Sequence, residues 1–141
     1  MIRWLNRLQP WGIFLVRVVL GITMFYHGFE KIIPTGGLHR NHLLAGFEQF
    51  ESYIATFHLP RWLGAVSILT EFLGGLGLVA GCLTRLAAFF VTINMLVALV
   101  LVGIHQDFGI YSYISELAAI AFLLILTGSG ALSLDRRFGL S

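Results

Sequence analysis

Seven polar residues of this sequence stand inside otherwise apolar stretches: Arg17, His27, Lys31, Glu71, Asn94, His105 and Glu116. Their sequence neighbours are mostly aliphatic or aromatic, and a buried charge is unfavourable unless it is paired and hydrogen-bonded. Arginine, lysine and histidine offer donors, while glutamate accepts a hydrogen bond or carries a proton. Five of the set, Arg17, His27, Lys31, Glu71 and Glu116, together supply what a carbonyl-bearing or anionic ligand needs: donors to hold it and groups to exchange protons with it. Asn94 and His105 are secondary members. The same residues also admit a plainer reading, in which Arg17 and Glu71 form a buried ion pair that sets helix register. Both readings are open at this level.

Other reactive residue types carry less. His39 and His42 fall in a loop, with His58 and His105 near the same surface, and no H-E-x-x-H arrangement surrounds them. No metal site is expected from that spacing. Cys82 is the single cysteine, which excludes an intrachain disulfide and any C-x-x-C redox motif. It is expected to act as a small packing residue. No haem, flavin or iron–sulfur motif is visible, so electrons in any redox role must come from a partner or a bound small molecule.

The elements that position these groups follow from composition. Of 141 residues, 57% are hydrophobic and 11% are charged. Soluble domains average about 25% charged residues, so the chain cannot cover a soluble surface. The mean hydropathy of +0.86 agrees. Nine basic against seven acidic residues is too small an excess to suggest nucleic-acid binding. Four apolar runs, at about 11–33, 62–83, 86–105 and 110–132, are each long enough to cross roughly 30 Å of hydrocarbon as a helix. None alternates strictly as barrel strands do. The expected architecture is all-α: a transmembrane four-helix bundle forming a single integral-membrane domain over residues 1–141.

Arg17 interrupts the first run and no A-x-A-like site follows, so it reads as a retained span and not a signal peptide. In the outer loop, 34–61, Leu43, Phe47, Phe50, Ile54 and Phe57 recur at helical spacing, which predicts a short amphipathic helix capping the bundle. With both termini in the cytoplasm, Arg3, Arg7, Arg85, Arg136 and Arg137 lie inside, against Lys31, Arg40 and Arg61 outside. The run Asp135-Arg136-Arg137 reads as a helix end with anchoring charges.

Helical spacing then gathers the polar groups. Arg17, Gly21, Met24, Gly28 and Lys31 share one stripe, with His27 beside it; Gly64, Ser67, Glu71, Gly75, Leu78 and Cys82 share another. Asn94 and His105 share a face of the third run, and Glu116 lies with Ala119 and Thr127 on the fourth. Small residues let helices approach closely in lipid, so the charges sit on the packing faces. All of them are expected in one interior cluster. Glu71 lies near mid-membrane, Arg17 about two turns nearer the cytoplasm, and His27, Lys31 and Glu116 toward the outside. Arg17 can reach Glu71 in this picture, and Lys31 or His27 can reach Glu71 or Glu116.

Three segments also resemble a known pattern. Thr70-Glu71-Phe72-Leu73-Gly74-Gly75 followed by Gly81 and Leu83-Thr84-Arg85, and Leu126-Thr127-Gly128-Ser129-Gly130 through Ser133 and Asp135, are similar to the E-x-x-G-G and closing T-G-x-G-x-x-S-x-D signatures of the DoxX-like membrane proteins. Arg17-x-x-x-Gly21 with His27-Gly28 and Lys31 resembles that family's opening. The resemblance implies a four-helix inner-membrane protein of a bacterium or archaeon. It also implies a link to thiosulfate:quinone oxidoreduction, or to membrane complexes that handle thiols and oxidative stress. Some members carry paired cysteines and this chain does not. The resulting expectation is a subunit or accessory of a quinone-linked redox system, with a quinone as its ligand. Its partners would be the lipid bilayer, a soluble redox protein and further copies of itself. A non-enzymatic scaffold or assembly factor is the alternative, and a small-solute carrier the third.

Overall fold

Residues 3–33 and 45–140 are described by a computed structural model of the chain. The architecture is all-helical. Helix α1 runs Arg3–Ile32, α2 Ala45–Ala55, α3 Trp62–Ala80, α4 Thr84–Leu101, α5 Phe108–Thr127 and α6 Leu134–Arg137. A single 3-10 turn, Gly103–His105, follows α4. Four of these helices, α1, α3, α4 and α5, are long and apolar enough to span a membrane. Side chains such as Leu15, Val100 and Leu126 on their outward faces are exposed, as lipid contact requires.

Helix α1 begins earlier than its apolar run, at Arg3, and contains Pro10. Helix α5 ends sooner than its run, because Gly128 has φ 78° and the chain leaves the helix there. The apolar residues beyond it, Ala131 and Leu132, belong to a loop that folds back under the bundle. Short α2 lies across the opposite end, packed on α3 and α1. Of the amphipathic pattern predicted there, Phe47, Phe50, Ile54 and Phe57 are half-buried, while Leu43, along with His39, Arg40 and His42, lies outside the described residues.

Packing divides the bundle into two tight pairs. Helices α1 and α3 meet through glycines: a β-carbon on Gly28 would lie 2.6 Å from the backbone nitrogen of Phe72, and one on Gly21 would lie 2.8 Å from that of Val79. One on Gly75 would collide with the backbone nitrogen of Phe25. In lipid such backbone contact replaces hydrophobic burial as the driving force. Helices α4 and α5 pack through Ala88, Val91 and Met95 against Leu117, Ala118, Ala121 and Leu124. Leu20, Met24 and Leu78 complete the common core. Helices α3 and α4 are joined by a turn at Gly81 with φ 66°, yet they pack on each other far less than either packs on its own pair. A gap along that seam results.

Candidate functional site

The α1–α3 register decides which charges meet. The helices are antiparallel, with Gly28 against Phe72 and Gly21 against Val79. Three residues past Gly28, Lys31 therefore comes opposite Glu71. Its ammonium donates to Glu71 Oε1 at 2.7 Å. Asn94 of α4 donates to the same oxygen through Nδ2 at 3.1 Å. The Glu71 side chain is only 4% exposed, whereas that of Lys31 is 26% exposed. Lys31 also lies 4.2 Å from the centre of the Phe50 ring on α2, in a cation–π contact. The second carboxyl oxygen, Oε2 of Glu71, is buried and has no hydrogen-bond partner among the described residues.

These groups line a cavity of about 600 Å³ between the two helix pairs. Its walls are otherwise mostly apolar, including Met24, Val66, Phe90, Ile93, Met95 and Leu117. Phe50, Tyr53, Ile54 and Phe57 of α2 close its end. Where α1 faces α5, His27 Nε2 and the Tyr113 hydroxyl are hydrogen-bonded at 2.7 Å, and both line the same space. An apolar cavity with a few converging polar groups is the usual form of a small-molecule site.

Arg17 is elsewhere. The same register carries it past Val79 to the turn at Gly81, so the Arg17–Glu71 pair is not made. The fully buried guanidinium donates through Nη1 to the carbonyl of Ser129 at 2.6 Å. Through Nη2 it donates to the carbonyl of Leu132 at 3.0 Å. Its Cζ lies 5.4 Å from the Phe14 ring centre. A β-carbon on Gly81 would strike the guanidinium. Asp135 is buried beside this arrangement and does more than anchor a helix end. Its carboxylate accepts from the backbone nitrogens of Leu83 at 2.6 Å and Thr84 at 2.8 Å, capping α4. The carbonyl of Gly81 in turn accepts from the Asp135 nitrogen at 2.9 Å. Arg136 and Arg137 are exposed.

The expected single cluster thus resolves into separate places. His27, Lys31, Glu71 and Asn94 share the cavity. Arg17 belongs to a closed knot of loop carbonyls and helix termini. Glu116 is exposed on α5 with no hydrogen bond or ion pair among the described residues. His105 is exposed in the 3-10 turn, at the end of the bundle. No group of three potential metal ligands occurs among the described residues. Tyr113 and Phe50 were not distinguishable in the sequence, because a lone tyrosine on an apolar helix and a phenylalanine on an amphipathic one have many unremarkable roles.

Comparisons with known proteins agree with this architecture. The family model called DoxX matches residues 12–104, which takes in most of α1 and all of α2, α3 and α4 and ends before Glu116. The chain is 28% identical over 139 residues to a protein of Escherichia coli (strain K12) named "Inner membrane protein YqjF", covering 94% of this chain and 95% of that one. It is 27% identical over 134 residues to "Putative oxidoreductase CatD" of Bacillus subtilis (strain 168), covering 93% and 90%. No solved structure gives a significant match.

Proposed function

The chain belongs to the DoxX family of membrane proteins, and from that premise we propose that it is an inner-membrane component of a quinone-linked redox system that holds a quinone headgroup in its cavity. One observation carries the reading. Glu71 is buried between Lys31 and Asn94, lines an otherwise apolar cavity of about 600 Å³, and keeps Oε2 without a partner. An ionised carboxyl oxygen left open beside a cavity calls for a donor, which the hydroxyl of a reduced quinone supplies, and the same carboxyl when protonated donates to a quinone carbonyl. The names of the two relatives, "Inner membrane protein YqjF" and "Putative oxidoreductase CatD", support the location and the class.

The chemistry of the residues fits such a ring. Its carbonyl oxygens need donors, and Lys31 and the Tyr113 hydroxyl supply them from opposite walls. When bound, the quinone would supply the electron-accepting chemistry, with electrons arriving from a partner protein or small reductant. Glu71 with Lys31, and His27 with Tyr113, are two hydrogen-bonded pairs through which a proton can be held or passed. The aliphatic and aromatic walls exclude water and strengthen each of these polar contacts. On this reading the cavity lies toward the extracytoplasmic side, with both termini in the cytoplasm.

The test is direct. Protein purified with its native lipid is extracted and the extract assayed for quinone, and added quinone is titrated against melting temperature. Co-purifying quinone and a rise in melting temperature that Glu71→Gln removes are expected; neither effect in the wild type would sink the proposal. A second reading, a scaffold that docks other membrane proteins, draws on the exposed carboxyl of Glu116 in the span of α5, where lipid alone makes a poor neighbour. Under it, Glu116→Gln abolishes function in a folded protein while Glu71→Gln leaves it intact.

A further inference from the structure

The cavity does not end at its polar corner. It opens sideways between α3 and α4, where Val66, Phe90, Ile93 and Val97 line it and are also half-exposed on the outer face. A second hollow of about 490 Å³ continues along the same seam toward the α6 end. The two share Val66, Thr70 and Phe90, so the groove formed by the second abuts the first. Beyond Thr70 its lining is apolar, with Leu69, Leu73 and Leu86 as walls and Gly74 and Gly77 keeping its floor low. Cys82, the chain's single cysteine, marks its far end.

We propose that the molecule whose head occupies the Glu71–Lys31 corner is a long-tailed lipophile that enters sideways from the bilayer and lays its tail along the α3–α4 groove toward Cys82. This rests on the headgroup reading above and extends it to the tail. Three features support it. A hollow of this size in a packed bundle forfeits dispersion contacts unless something fills it. The groove abuts a cavity that holds an unpartnered, nearly fully buried carboxyl oxygen, so head and tail requirements meet side by side. The distance also suits a chain: the nine helical steps from Glu71 to Ala80 span about 14 Å at 1.5 Å per residue, with Cys82 just past the helix end. The α1–α3 seam, closed by glycine contacts, offers no comparable path.

Cys82 supplies the readout, since its thiol is exposed within the groove. The detergent-solubilised protein is treated with a membrane-permeant maleimide alone, with a quinone carrying a long isoprenoid tail, and with the same ring bearing a methyl group instead. A phospholipid forms a further arm. At about ten times its Kd, the tailed quinone should slow alkylation of Cys82 about tenfold, while the methyl ring raises the melting temperature without protecting the thiol. Leu73→Trp, which fills the groove at a half-exposed position, should reduce the melting shift given by the tailed quinone to that of the methyl ring. If both quinones raise the melting temperature and neither protects Cys82, or both protect equally, the tail placement is overturned and the headgroup site stands. Equal protection by phospholipid overturns the pairing of this groove with the headgroup ligand. If no quinone shifts the melting temperature, the headgroup reading falls and the tail placement with it.

Discussion

Arg17 and Glu71 are both buried on the α1–α3 face of one bundle, yet they are satisfied on opposite terms. Around Arg17 two backbone carbonyls, an aromatic ring and a nearby carboxylate close in; its Nε is buried without a hydrogen-bond partner among the described residues, but Arg17 lines neither the cavity nor the adjoining groove. Around Glu71 the partners reach only one oxygen, and the other stands beside a cavity. The first arrangement ties the closing loop to α1 and α4. The second is a polar corner left incomplete in apolar surroundings. A buried polar atom without a partner therefore does not by itself set Glu71 apart; the cavity beside it does.

The contrast can be broken by mutation. Arg17→Ala leaves the carbonyls of Ser129 and Leu132 without donors and should cost about 3–5 kcal/mol, read as lost folded protein in a detergent denaturation series. Arg17→Lys should recover only part of this, because a single ammonium lacks the planar fork that serves two separate carbonyls. Gly81→Ala strains a left-handed backbone position and pushes on the same guanidinium, with an expected loss of about 1–3 kcal/mol in the same assay. Asp135→Ala uncaps α4 and should cost about 1–2 kcal/mol.

Glu71→Gln keeps the shape of the side chain and an acceptor for Lys31 and Asn94 but removes the charge opposite a partly exposed ammonium, so stability should fall by about 1–3 kcal/mol, less than for Arg17→Ala. Quinone affinity should also drop at least about tenfold, or about 1.4 kcal/mol, by titration against melting temperature. The smallest effect belongs to Tyr113→Phe, which removes one hydrogen bond to His27 and should weaken binding by about 0.5–1.5 kcal/mol. Should Glu71→Gln unfold the protein as Arg17→Ala does, the two regions are alike and the cavity loses its special standing.

Much of this was readable from residues alone. The membrane helices follow from hydropathy, and the stripes that carry Arg17, Lys31 and Glu71 follow from helical periodicity, because both are properties of a single helix. The pairing of those stripes is not. It depends on a register set by backbone atoms at Gly21, Gly28 and Gly75, and a shift of one turn would have matched Glu71 with a different residue. The partners of Arg17 were hidden for a further reason: they are carbonyl groups, which every residue has, so Ser129 and Leu132 carry no signature. Asp135 looked like an anchoring charge because its exposed neighbours Arg136 and Arg137 are ones. The end of α5 was masked by the apolar residues that follow Gly128, which read as more helix but form the loop that receives Arg17.

That loop also imposes an order on biosynthesis. Arg17 lies in α1, while its nearer acceptor, the carbonyl of Ser129, comes 112 residues later in the chain. At about 5–20 residues per second, translation alone separates them by roughly 6–20 s. Throughout that interval α1 holds an arginine without its native acceptors, so the helix must keep the guanidinium near the lipid headgroups or under the care of the insertion machinery. The loop after α5 is then what allows α1 to settle.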